Sequence, residues 1–198
     1  MDADKRVASS PRAGYCVDMS RVVVLLRGVN VGRAKRVPMA GFRDVLAELG
    51  FANARTLLNS GNAVCDAPAG DVREQASRIH DALVSRLAVD VPVIVKSARD
   101  VDAIIRANPF AAQATDPSRL LVAFAPDAKT LVSLAPVEAL VVKPEAFAVG
   151  KHAAYLWVPD GILSSKAGEA LLGKSGRLAT TRNWATVLKI EALLKSAA

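Results

Sequence analysis

Cysteine, histidine and aromatic residues are scarce in this sequence, and each scarcity closes off a class of function. Of 198 residues two are cysteine, Cys16 and Cys65, and two are histidine, His80 and His152. A disulfide framework is excluded, and a reduced, cytoplasmic thiol is the expected state of the cysteines. Neither cysteine has a second Cys or a His at metal-ligand spacing, so no metal site is expected. Aromatics make up only 5% of the chain, too few for a stacking platform. No apolar run reaches the roughly 18 residues of a membrane span; Val22–Leu26 is among the longest.

Hydrophobic residues reach 52%, which excludes a purely solvating role and requires a packed core. Lysine and arginine outnumber the acids by 26 to 19, giving a net charge of +7. The excess is spread along the chain, with two local concentrations. Arg27, Arg33, Lys35 and Arg36 form one, and Lys174, Arg177 and Arg182 the other. Such clusters attract phosphates or nucleic acid, although most charged runs are simply solvated faces.

Residues 1–20 show neither periodicity nor an apolar stretch and carry Asp2, Asp4 and Asp18, so they read as a disordered tail rather than a targeting segment. From Arg21 the pattern sharpens. Val22–Leu26 is a strand buried on both faces, followed by the glycine-bearing loop Arg27–Val37. Pro38 opens a helix with Phe42, Val45 and Leu46 on one face, ending at Gly50. Residues 55–58 and 63–66 form a hairpin across Asn59-Ser60-Gly61-Asn62. Asp71 and Glu74 cap a second helix, and 91–95 is a strand. The order β-α-β-β-α-β over 21–97 is the split, ferredoxin-like unit.

Residues 98–198 repeat the theme less regularly. Ser97 and Asp100 cap a helix, 119–125 is a strand, Asp127 starts a short helix, two strands flank Gly150-Lys151, and a brief helix follows Ser165. The last helix is expected over Arg182–Leu194. The reading is an α+β protein of two ferredoxin-like subdomains packed together, the second one irregular.

Several stretches resemble a known bacterial family: "LLRGVNVG" (25–32), "VPMAGFRDVLAELGF" (37–51), "NSGNAV" (59–64), "ANPF" (107–110), "LWVPDGILSSK" (156–166) and "TTRNWATVLKI" (180–190). The family is that of domain of unknown function 1697, and the resemblance runs from about Val22 to Leu193. It implies a two-subdomain α+β fold and no settled activity. Gly often follows the glycine at 32 in that family, where this chain has Arg33, and Ala185 stands where Asn is common.

Trp184 shares a helical face with Val187 and Leu188 and reads as core, while Thr180 or Thr181 reads as the N-cap of the last helix. Arg182 and Asn183 stand out. A cation in a first helical turn opposes the macrodipole, and a bound anion would reverse the sign of that interaction. The loop Arg27-Gly28-Val29-Asn30-Val31-Gly32 follows the first strand, where glycines let backbone N–H groups approach a phosphate. It lacks the residues of a Walker A loop or a dinucleotide fingerprint, and no cofactor is expected. The candidate anion site is therefore Arg27, Gly28, Asn30, Gly32, Asn59, Ser60, Asn62, Lys166, Thr181, Arg182 and Asn183. Two alternatives stand beside a small-anion binding domain. One is an acylphosphatase-like hydrolase using Arg27 with Asn59 or Asn62, an analogy of fold, since no catalytic constellation is present. The other is backbone-only binding of nucleic acid, disfavoured because the first and third strands carry no aromatic.

Overall fold

The computed structural model describes residues 20–30 and 35–196. The expected disordered tail lies outside the described residues but for Ser20, which begins β1. Cys16, Gly32 and Arg33 also lie outside them.

The chain is α+β, with eight strands and six α-helices among the described residues. They are β1 (Ser20–Leu26), α1 (Met39–Glu48), β2 (Ala52–Leu57), β3 (Asn62–Ala67), α2 (Val72–Leu87), β4 (Val93–Ser97), α3 (Ala98–Arg106), β5 (Leu120–Phe124), α4 (Ala128–Val132), β6 (Ala146–Val149), β7 (Ala154–Trp157), α5 (Lys166–Leu172), β8 (Thr180–Asn183) and α6 (Trp184–Lys195). The strands form two four-stranded antiparallel sheets, β2-β3-β1-β4 and β6-β7-β5-β8. If the strands of each sheet are numbered from its own first strand, both sheets have the order 2-3-1-4. The second half is thus as regular as the first in strand order.

Local chemistry accounts for most boundaries. Five consecutive apolar residues, Val22 to Leu26, have no accessible surface, so β1 is central and covered on both faces. The Asp71 carboxylate accepts from the Arg73 and Glu74 amides and starts α2. Ser97 and Asp100 make a reciprocal capping box that starts α3 directly after β4.

The core is layered. Helices α1 and α2 cover one face of the first sheet, with Phe42, Leu46, Ile79 and Leu83 against Val22, Val24 and Leu26. Helices α3 and α6 lie between the sheets, where Val23, Leu25, Ile94, Ile104, Val122, Tyr155, Trp184 and Ile190 form one cluster. The outer face of the second sheet is closed by α4, the 3-10 turn Ala135–Leu140, and α5. The shared middle layer welds the two halves. Within it the Tyr155 hydroxyl, buried, donates to the Ile104 carbonyl at 2.7 Å. No helix among the described residues is long and apolar enough to cross a membrane.

One expected boundary is corrected. The last helix begins at Trp184, and Thr180–Asn183 is a strand paired with β5 in the register Val122↔Arg182. Two β-branched threonines favour the extended chain, and ladder pairing to an already buried strand outweighs any helical preference of so short a run. The N-cap is Asn183, which accepts from the Thr186 amide at 2.9 Å, rather than Thr180 or Thr181.

Candidate functional site

Because β8 is extended, its side chains alternate, and Arg182 projects on the same face as its partner Val122, into the layer between the sheets. The residue is only 9% exposed. Its guanidinium spends every N–H on protein oxygens. Nε donates to Asn62 Oδ1. Nη1 donates to Thr180 Oγ1 and to the Thr181 carbonyl, both at 2.8 Å. Nη2 donates to the carbonyls of Leu26 at 2.8 Å and Ser60 at 3.0 Å, with Gly61 more distant. A residue of the last strand therefore clamps the β1 end and the β2–β3 turn. The macrodipole conflict expected of Arg182 does not arise, because the residue stands outside the helix.

None of those acceptors is a carboxylate. Among the described residues no Asp or Glu lies within ion-pair distance of Arg182 or Arg27. Burial without a counter-charge pushes the Arg182 guanidinium down to about 10. Carbonyl dipoles satisfy its geometry but leave its net charge in place.

Arg27 follows the same rule from the other sheet. Directly after β1 its side chain crosses to the C-terminal half, where Nη1 donates to the carbonyls of Gly176 and Ala179, and Nη2 to those of Leu172 and Gly173. These carbonyls lie at and just beyond the C-terminal end of α5, where a cation complements unpaired acceptors. Burial lowers the Arg27 pKa as well.

The two guanidinia border a cleft of about 430 Å³ between the halves. Of the expected residues it gathers Arg27, Gly28, Ser60, Thr181, Arg182 and Asn183. The Ser60 hydroxyl accepts from Asn62 Nδ2 at 2.9 Å, which leaves its own proton to donate. Gly28 has φ +61, a conformation that glycine adopts without a Cβ penalty. Asn62 has no accessible surface; it lies behind the cleft, holding Arg182.

A second cleft of about 490 Å³, at the start of α1, takes Asn30 and Asn59 together with Arg36 and Pro38. There Asn30 closes its own loop, bonding both backbone groups of Val37 and the Asn59 carbonyl. The adjacent residues Asn59 and Ser60 face different clefts, so the expected site divides at that turn. Lys166, exposed at the first position of α5, is brought to neither.

Sequence reasoning passed over the cleft's apolar wall, Val29, Leu121, Ile162 and Leu172, and the hydroxyls of Ser118 and Thr186. Those residues come from separate elements, and nothing in their local spacing signals that they meet. The glycine of the hairpin was visible, but not its reason. A Cβ on Gly61 would stand 2.7 Å from both Leu26 Cβ and Val29 Cγ2.

Residues 19–155 match the family model described as protein of unknown function (DUF1697). That span ends before β8. A search of curated proteins returned no match. Among solved structures, that of the conserved bacterial protein SP0830 from Streptococcus pneumoniae is similar, with a TM-score of 0.75 and 25% identity. The likeness covers 89% of this chain and 99% of that one.

Proposed function

The chain belongs to the family of proteins of unknown function DUF1697, and on that footing we propose that it binds a small anionic ligand, phosphorylated or otherwise, in the cleft between its two halves. The observation that carries this reading is the Arg182 guanidinium, buried beside the cleft with no carboxylate partner among the described residues. A neighbouring Arg27, bonded only to backbone carbonyls, adds a second positive charge. At an effective dielectric of about 20, an anion roughly 5 Å from one guanidinium gains about 3 kcal/mol. Ser60 and Thr181 supply hydroxyl donors at the wall. Residues 21–97 and 98–198 are read as two ferredoxin-like subdomains, a reading supported by their identical strand orders. A cytoplasmic setting accords with the buried free thiol of Cys65.

The acylphosphatase-like alternative draws no support from this geometry, since Asn62 is sealed and Arg27 is committed to the carbonyls at the end of α5. Surface-wide binding of nucleic acid loses Arg182 as a contributor, because that cation is buried.

The test is thermal unfolding of the full chain in sodium phosphate, sulfate and short carboxylates against sodium chloride at matched ionic strength. A saturable rise in the midpoint, reduced by Ser60→Ala with Thr181→Val, supports anion binding. A midpoint indifferent to every anion overturns it.

A further inference from the structure

Resting on the anion-cleft reading, we propose that the ligand class of this cleft is a monoanionic acid with a hydrocarbon tail, a medium-chain carboxylate, rather than a phosphate. Two observations narrow the class. The first is how the cations are used. All five N–H groups of Arg182 point at protein oxygens, and four of the five on Arg27 do the same. The cleft therefore carries positive charge without an open guanidinium fork. A phosphate dianion sheds a large hydration shell and needs several direct charged donors to replace it. A carboxylate carries one charge and two oxygens, which two hydroxyl donors such as Ser60 and Thr181 can meet.

The second observation is the rest of the wall. Val29, Leu121, Ile162 and Leu172 give the cleft an apolar side formed by both halves. Leu172 is 47% exposed, and Leu163, next to Ile162 in the chain, is fully exposed. An inorganic anion would leave this surface wet, whereas a hydrocarbon tail would dehydrate it. Each methylene laid fully against it raises affinity about fourfold. The roughly 430 Å³ of the cleft lies within the range of small-molecule sites and leaves room for a tail beside the head group.

The experiment is calorimetric titration of the full chain with acetate, butanoate, hexanoate and octanoate, and with inorganic phosphate and 1-hexanol. The expected result is affinity climbing about fourfold per methylene, with hexanol at least tenfold weaker than hexanoate. Leu172→Gln, a change at a half-exposed position, should flatten that climb. If phosphate binds and the acid series is flat, the hydrocarbon-tail proposal falls and the anion cleft stands. If neither phosphate nor any acid binds, or if hexanol equals hexanoate, both fall. A chain-length gain that survives Leu172→Gln places the tail elsewhere and overturns the proposal.

Discussion

Replacing Arg182 by methionine keeps a long flexible side chain and removes the charge together with the clamp. The guanidinium makes six contacts, three of them shared by the two hydrogens of Nη2, so roughly five independent bonds are lost. At the low end for bonds to a charged donor, about 1.5 kcal/mol each, that loss is about 7 kcal/mol. Against it stands relief from a buried charge. The lowering of the Arg182 pKa to about 10 by burial corresponds to roughly 3 kcal/mol. The net expectation is destabilisation by about 4 kcal/mol, or a thermal midpoint lower by about 8–16 °C for a chain of this size. Arg182→Lys should fall at least as far, because it keeps the charge, which is more strongly hydrated, and cannot reach Asn62, Leu26 and Thr180 together. Chemical denaturation followed by the fluorescence of Trp157 and Trp184 reads both variants. A methionine variant as stable as the parent means that dehydration of the charge outweighs the clamp, and that Arg182 does not hold the two sheets together.

Gly61→Ala should cost roughly 2–5 kcal/mol, from about 1–2 for its φ of +72 and about 1–3 for the collision with Leu26 and Val29. Gly28→Ala is the control, since nothing lies within 4 Å there and only the dihedral cost applies; equal losses at both sites would discount the steric contribution. Cys65 is pushed up to about 12 by burial and then by the charge of Asp66, so in a Cys16→Ser background it should resist thiol reagents at pH 8 until the chain is unfolded. Rapid labelling of the folded protein would contradict this. Hydrogen bonds to Asp90 and then Asp81 raise the His80 pKa above 6.5. Its contribution to stability is complete below pH 6.5 and fades as the pH rises through the folded value. Asp90→Asn should bring the His80 resonance titration back down, and an unmoved titration would remove Asp90 as the main cause.

Much of the architecture is written in local signals. The five-residue apolar run of β1, the Ser97–Asp100 box and the Asn-Ser-Gly-Asn turn each announce an element through nearest-neighbour chemistry. Strand β8 escaped because "TTRN" is short and polar, and runs into α6 with no glycine or proline to mark the change. Its identity depends on β5, about sixty residues earlier in the chain. The site was half legible for the same reason. The cations Arg27 and Arg182 and the hydroxyl of Ser60 are recognisable as polar residues at structural junctions, and the structure does bring them to one cleft. What they bond to is not recognisable, because carbonyl oxygens belong to every residue and leave no trace in a sequence. The apolar side of the cleft is equally silent, being assembled from four separate segments.

The middle layer imposes an order on how the chain can be completed as it is made. Val23, Leu25 and Ile94 of the first sheet are covered by Val101 and Ile104 of α3 and by Trp184, Val187 and Ile190 of α6, the latter about ninety or more residues further along the chain. On the ribosome the first half can hydrogen-bond its sheet early, yet one greasy side of it stays only partly covered until α6 has been made. Strand β8, just before α6, also delivers Arg182 and completes the second sheet, so a nascent chain has neither its cleft nor its full cohesion until β8 and α6 have left the exit tunnel.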